Sequence, residues 1–360
     1  MHLDWLQINK VRNLSDIKLE VRPRLNLFTG KNASGKTAIL ESIYLLARAK
    51  SFRTPRIQEV VTEGGESLQI SAGVTRAQAG KATVGVEKGR GRILLRNNGT
   101  TVKTVSEQAR KFPIVLINPD THLLVTGTPK MRRHWLDWAM FHVEQNYLEN
   151  WRSYIKALRH RNALLKAGER KAETFYGWEQ TMATTAAKLS EMRWGFTQKL
   201  QEIVNLLLNK EFNGGFDIKL YAGTGKEESN FREYLEKERV NDQLHGFTRY
   251  GPHRADLEFS YLGEKVAARF SRGQIKLFVS MLVLAEARVI AENTGENPVV
   301  LIDDYATELD NNASEYLLTS LYESLFQVFA ATINQKEKQP AFHETARFHV
   351  EHGKVQKVVK

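Results

Sequence analysis

The stretch GKNASGKT, Gly30 to Thr37, stands between a short apolar run and a helical one. The run before it, LNLF from Leu25 to Phe28, reads as a buried strand. After it, AILESIYLLARA places Ile39, Leu40, Ile43, Tyr44, Leu46 and Ala47 at helical spacing. Strand, glycine loop and helix are the setting in which G-x-x-x-x-G-K-T holds phosphate. Gly30 and Gly35 let the backbone curl. The amides of Lys31, Asn32, Ala33, Ser34 and the helix start then turn inward on an anion. Lys36 reaches the β- and γ-phosphates of a nucleotide as a point charge, and the Thr37 hydroxyl is placed to ligate Mg²⁺.

Working outward, 360 residues give room for two or more domains with filled cores. A hydrophobic content of 42% and a charged content of 26% are ordinary for a globular chain. No run approaches the roughly 18 apolar residues of a membrane span. The opening MHLDWLQINK lacks the basic start and apolar core of a signal peptide. The chain has no cysteine, which excludes disulfides and cysteine zinc sites and fits a reducing compartment. A cytoplasmic protein without a membrane partner is therefore expected. The net charge of +11 favours nucleic acid or another polyanion as partner.

A phosphate loop needs an acidic metal partner on a neighbouring strand, and PVVLIDDYATELD, Pro298 to Asp310, supplies one. Val299 to Ile302 reads as a strand buried on both faces, ending in Asp303 and Asp304. Ligands of open α/β sheets bind beyond the carboxyl ends of strands, where this pair falls. Asp303 is suited to hold Mg²⁺ through water, and Asp304 to orient or deprotonate the attacking water. Lys36 and Asp303 are 267 positions apart, too far for one compact nucleotide domain, so something is inserted. A GTPase is excluded, because no N-K-x-D stretch is present; NKEF at Asn209 lacks the closing aspartate.

The third element is FSRGQIKLF, Phe270 to Phe278. Ser271 and Gln274 form an S-x-x-Q capping box at the head of a largely buried helix. Ser271, Arg272, Gly273 and Gln274 at a helix start also make a second anion site. The order of phosphate loop, long insertion, S-x-G-Q helix and acidic strand is that of ABC-type ATPases. In those, one subunit's S-x-G-Q closes over ATP held by the other.

With these motifs in place, the sequence resembles the RecF family of bacterial recombination mediators, small relatives of SMC heads. The likeness spans nearly the whole chain. It includes LQINKVRNLSDIKLEV, GKNASGKTAILESIYLLARAKSFRT, PKMRRHWLDWAMFHVE, YGPHRADLEF, FSRGQIKLF and LIDDYATELD. The resemblance implies an α/β ABC-type ATPase with an inserted, mostly helical lobe. Residues 1–120 and 246–360 would form the ATPase and residues 121–245 the lobe. It also implies an ATP-dependent homodimer on double-stranded and gapped DNA, acting with RecR and RecO to load RecA in repair, replication restart and the SOS response.

Some positions depart from the pattern. Ala33 replaces the inner glycine usual in G-x-N-G-x-G-K-T; it is silent at ordinary φ and costs about 1–2 kcal/mol at positive φ. Asp304 stands where transporter ATPases carry glutamate, VLINPDTHLL offers no evident Q-loop glutamine, and VFAATIN has no switch histidine. These gaps point to slow hydrolysis used as a switch. They also argue against the rival reading of a transporter ATPase subunit. An SMC-nuclease head would need long heptad arms, which the chain lacks. A basic scaffold with an inactive loop would bind ATP tightly without turnover.

Between Pro129 and Pro252 there is no proline, and the segment beginning RRHWLDWAMFHVE is helical in its spacing. Trp135, Trp138, Trp151, Trp178 and Trp194 read as core more than as base-stacking platforms. Lys130 to Lys171 holds ten Lys/Arg against four Asp/Glu. Arg152, Lys156 and Arg159 recur at helical spacing, and with the resemblance they become candidate DNA-phosphate contacts. Arg48, Lys50, Arg53 and Arg56 form a second basic cluster, open to DNA contact or to structural pairing. In RYGPHRADL, His253, Arg254 and Asp256 either line the nucleotide site or form a hydrogen-bonded corner. NNGT at Asn97 reads as a hairpin turn.

Overall fold

The computed structural model describes residues 1–77, 79–224, 230–304, 311–332 and 344–358. Met1–His122 with Ser271–Lys360 forms one compact unit, and Leu123–Phe270 forms a second.

The first unit opens with β1 (His2–Val11), β2 (Leu14–Glu20), β3 (Leu25–Thr29) and α1 (Lys36–Arg48). It continues through β4 (Ser67–Arg76), β5 (Gly80–Gly89), β6 (Arg92–Asn97), β7 (Thr100–Val102), α2 (Val105–Lys111) and β8 (Ile114–Ile117). The inserted unit carries α3 (Leu123–Thr126), α4 (Pro129–Val143), α5 (Tyr147–Lys166), α6 (Ala172–Phe212), β9 (Phe216–Tyr221), α7 (Phe231–Lys237) and α8 (Arg239–His245). It ends with β10 (Asp256–Tyr261), β11 (Glu264–Lys265) and α9 (Val266–Arg269). The chain then returns to the first unit as α10 (Arg272–Thr294), β12 (Val299–Asp303), α11 (Asn311–Glu323), β13 (Gln327–Thr332), β14 (Thr345–Glu351) and β15 (Lys354–Lys357).

Two six-stranded sheets build the first unit. One is antiparallel in the order β2-β1-β4-β5-β6-β7; the other runs β15-β14-β3-β13-β12-β8. In the second, β14, β3, β13, β12 and β8 are parallel and only β15 is antiparallel. All five residues of β3 are buried, as expected of a strand flanked on both sides. Phe28 on β3 stacks on Phe348 of β14 at 5.1 Å and on Phe329 of β13 at 6.5 Å. α1 packs against β1, β4 and β5 of one sheet and β12 and β13 of the other, so most of its length is buried. The buried Gln327 joins the two layers. Its oxygen accepts from the Leu3 amide at 2.6 Å, and its nitrogen donates to the Leu3 and Arg22 carbonyls at 2.8 Å. The β6–β7 turn has Asn98 at φ 50° and Gly99 at φ 77°, the left-handed pair a two-residue hairpin requires.

The inserted unit is built on the long helices α5 and α6, and it also holds a three-stranded sheet in the order β11-β10-β9. Residues 246–270, assigned from the sequence to the ATPase, belong here because β10 pairs along its length with β9. Among the described residues no helix is long and apolar enough to cross a membrane.

The inserted unit encloses fully buried arginines. Arg161 donates to Glu179 at 3.0 Å, to Asp242 and Thr248 at 2.7 Å, and to the Leu235 carbonyl at 2.7 Å. Arg193 donates to Asp137, to the Tyr147 hydroxyl and to the Pro252 carbonyl. Such charges are tolerated in a core because every arm of the guanidinium finds an acceptor. Four of the insertion's tryptophans are half-buried among other rings, as in the Trp178–His160 stack at 4.1 Å; Trp194 alone of the five is exposed.

Candidate nucleotide-binding site

The loop Gly30–Gly35 leaves the carboxyl end of β3 and feeds α1. Its backbone is held from two sides. The Asn13 side-chain amide, in the β1–β2 turn, donates to the Ser34 carbonyl at 3.1 Å, and the Gly353 backbone amide, in the β14–β15 turn, donates to it at 2.9 Å. A Cβ on Gly30 would lie 2.2 Å from the Val350 carbonyl oxygen, so this loop position accepts only glycine. Gly35 has φ 120° and is the N-cap of α1. Ala33 has φ 60°, in the left-handed region, so the conformation that disfavours alanine is the one realised.

Lys36 is nearly buried and its Nζ donates to the carbonyls of Gly30 and Lys31, each at 2.8 Å. Burial pushes its ammonium below the ordinary lysine value, against the pull of Asp303 and Asp304. The Thr37 hydroxyl donates to Asp303 Oδ1 at 2.9 Å. Asp303 sits at the end of β12, two strands from β3, with β13 between them. Burial pushes the Asp303 carboxyl up, while the Thr37 hydroxyl and the charges of Arg53 and Lys36 draw it down. A threonine hydroxyl beside a carboxylate is a hard-oxygen donor set of the kind Mg²⁺ takes. Asp304 follows at φ 56°, a region aspartate tolerates better than most residues, and its amide donates to the Ala331 carbonyl at 3.2 Å.

These groups line one cleft of about 460 Å³. Asn32 to Thr37 with Asp303 and Asp304 lie along it, together with Arg12, Asn13 and Arg53, while Gly30 and Lys31 are not among its lining residues. Arg53, which the sequence left open between DNA contact and structural pairing, lines the cleft with these carboxylates. Arg56 pairs with Glu59 at 3.4 Å, and Arg48 donates to the Tyr44 hydroxyl at 2.8 Å. Arg12 and Asn13 were missed as site residues. They form the turn between β1 and β2, and their residue types alone do not mark them for the cleft.

Ser271, Arg272, Gly273 and Gln274 do not line this cleft. Ser271 caps α10 with a complete capping box. Its Oγ accepts from the Gln274 amide at 3.3 Å, and its amide donates to Gln274 Oε1 at 3.0 Å. Ser271, Arg272 and Gln274 are exposed. In the inserted unit, Arg152, Lys156 and Arg159 are all exposed along α5, while Tyr154, Ala157 and Leu158 on its other side are buried. His253 and Asp256 form the hydrogen-bonded corner. His253 Nδ1 meets the Tyr154 hydroxyl at 2.7 Å, and Asp256 accepts from Arg132 at 2.7 and 3.0 Å. Burial lowers the His253 pKa to about 4. Arg254 lies over the Phe247 ring at 5.4 Å. Residues 305–310 of the acidic motif and 333–334 of VFAATIN lie outside the described residues.

The RecF/RecN/SMC N terminal domain family matches residues 2–357. The chain is 34% identical over 372 residues to the DNA replication and repair protein RecF of Nitrosococcus oceani, covering 100% of both chains. It is 32% identical to that of Hahella chejuensis, covering 99% of this chain and 100% of the relative. Among solved structures it is similar to the recombination mediator protein RecF with ATP in the RecFOR pathway, at TM-score 0.88 and 27% identity, covering 99% and 98% of the two chains. An SMC head bound to the C-winged helix domain of ScpA shares the fold at TM-score 0.58 and 14% identity, over 99% and 97% of the chains. The fold is that of an SMC-head-like ABC ATPase with a helical insertion, and the chain belongs to the RecF family.

Proposed function

We propose that this chain is an ATP-switched DNA clamp of recombinational repair. ATP lies along Gly30–Thr37, with Lys36 against its β- and γ-phosphates, and Thr37 and Asp303 hold Mg²⁺. Asp304 orients or deprotonates the attacking water, and its short side chain makes hydrolysis slow. Ser271, Arg272, Gly273 and Gln274 of a second copy close on the γ-phosphate. The exposure of Ser271, Arg272 and Gln274, away from their own chain's cleft, favours action in trans. The closed dimer holds double-stranded DNA through Arg152, Lys156 and Arg159, and hydrolysis releases it. By its family, the chain works in the cytoplasm at single-strand gaps with RecR and RecO and promotes RecA loading.

The observation that carries this reading is the Thr37–Asp303 hydrogen bond of 2.9 Å, which joins two motifs 266 positions apart into one oxygen-donor site. The test is ATP-dependent dimerisation and DNA retention in Lys36→Met and Ser271→Arg. Both variants are expected to stay monomeric with ATP and to release DNA at low salt. Dimerisation equal to the parent chain in both would sink the clamp.

A further inference from the structure

The mechanism above does not use Glu41, yet its carboxylate accepts from both Arg12 and Ser51 beside the cleft. It lies on α1, one turn beyond Thr37, and its side chain is 0% exposed. A carboxylate buried between two sheets is costly unless its oxygens are satisfied. Arg12 answers with a two-pronged bond, Nε to Oε2 and Nη2 to Oε1, both 2.9 Å. The third guanidinium nitrogen of Arg12 donates to the Glu59 carbonyl. Hydrogen bonding to Glu41 raises the Arg12 pKa.

The same carboxylate also accepts from the Ser51 hydroxyl. Ser51 Oγ in turn accepts from the amides of Arg53 at 2.9 Å and Thr54 at 3.1 Å. Thr54 Oγ1 then donates to Glu59 Oε2 at 2.6 Å. The segment from Ser51 to Glu59 is therefore fixed at both ends through Glu41 and Arg12. Its Arg53 lines the cleft with Asp303 and Asp304, and the Arg53 charge acts on Asp303.

We propose that Glu41 is a positioning residue of the nucleotide cleft: through Ser51 and Arg12 it holds Arg53 at the end where Thr37 and Asp303 meet, so that the cleft discriminates a nucleoside triphosphate from a diphosphate. The inference rests on the nucleotide reading of the cleft. A guanidinium there meets the terminal phosphate and leaves the rest of the nucleotide to the loop amides and Lys36.

The test is the Kd of ATP and of ADP, each with Mg²⁺, for the full chain and for Glu41→Gln, Arg53→Gln, the double variant and Ser51→Ala. Without the charge-assisted hydrogen bond to the terminal phosphate, ATP should bind about tenfold more weakly, and ADP should stay within about threefold. The double variant should be no worse than either single one, because both remove the same hydrogen bond. Equal weakening of ATP and ADP in Glu41→Gln, or effects that multiply in the double variant, would overturn the proposal. A general loss of stability would move the melting temperature without moving the ATP/ADP ratio. Should Glu41→Gln fail to fold, an unchanged ratio in Ser51→Ala overturns the proposal equally. If the parent chain binds neither nucleotide while remaining folded, the nucleotide reading itself fails.

Discussion

Ala33 shows what a single residue type conceals. Alanine is compatible with an ordinary or a left-handed backbone, so the sequence left its cost open. The observed φ of 60° settles it, because the Cβ of Ala33 then crowds the following carbonyl. Ala33→Gly is expected to raise unfolding stability by about 1 kcal/mol, the relieved strain less the extra freedom of glycine in the unfolded chain. A urea midpoint equal to or below that of the parent would contradict this. His253 makes the second case. From the sequence it was divided between a site ligand and a corner; the corner is decided by Tyr154, a partner 99 positions away. Burial holds its pKa at about 4, below the ordinary histidine value. The native state therefore resists protonation where the unfolded chain accepts it. Its stabilising effect is complete above about pH 6.5, falls as pH drops toward 4, and totals on the order of 3 kcal/mol. His253→Gln should lose much of that pH dependence. A stability profile between pH 7 and 4 unchanged by the substitution would refute the assignment.

At the level of elements, the sequence was most legible where a local rule and the tertiary setting agree. LNLF, the acidic strand and the α10 cap are all of this kind, and each is found where its residues placed it. β9 was not foreseen although FDIKLY alternates apolar and polar residues, with Phe216 and Ile218 buried. It follows a 41-residue helix, and its pairing partner β10 lies beyond α7 and α8, so nothing local marks a sheet there. The α10 cap carries two roles that substitution can separate. Ser271→Ala removes the hydroxyl that accepts from the Gln274 amide, and should cost about 1 kcal/mol. Ser271→Asp keeps a good N-cap and so keeps stability, but sets a carboxylate where the partner's γ-phosphate is proposed to arrive. ATP-dependent dimerisation should therefore be lost in Ser271→Asp at unchanged melting temperature. Dimerisation by Ser271→Asp at the parent's ATP concentration would argue against the trans contact.

For the whole molecule, the insertion was legible from one number, the distance between Lys36 and Asp303, and its helical character from the absence of proline. Its far boundary was not legible, because it is set by a strand pairing that no local pattern reports. Charge is legible as a total but not as a placement. Arg53 and Arg56 look alike in sequence, yet Arg53 lines the nucleotide cleft and Arg56 pairs with Glu59. Arg152, Lys156 and Arg159 fare differently, since positions four and seven apart on α5 fall on one face and all three are exposed. Three phosphate contacts should contribute about 2.7 to the slope of log K against log salt, at roughly 0.9 per contact. Replacing all three by alanine should flatten the slope of double-stranded DNA binding by that amount and weaken binding most at low salt. Because phosphate contacts carry no base information, the loss should be the same on unrelated sequences. The buried face of α5 is untouched by these changes, so the melting temperature should hold. An unchanged salt slope in the triple variant would remove α5 from the DNA surface and leave the net charge of +11 to be explained by other residues.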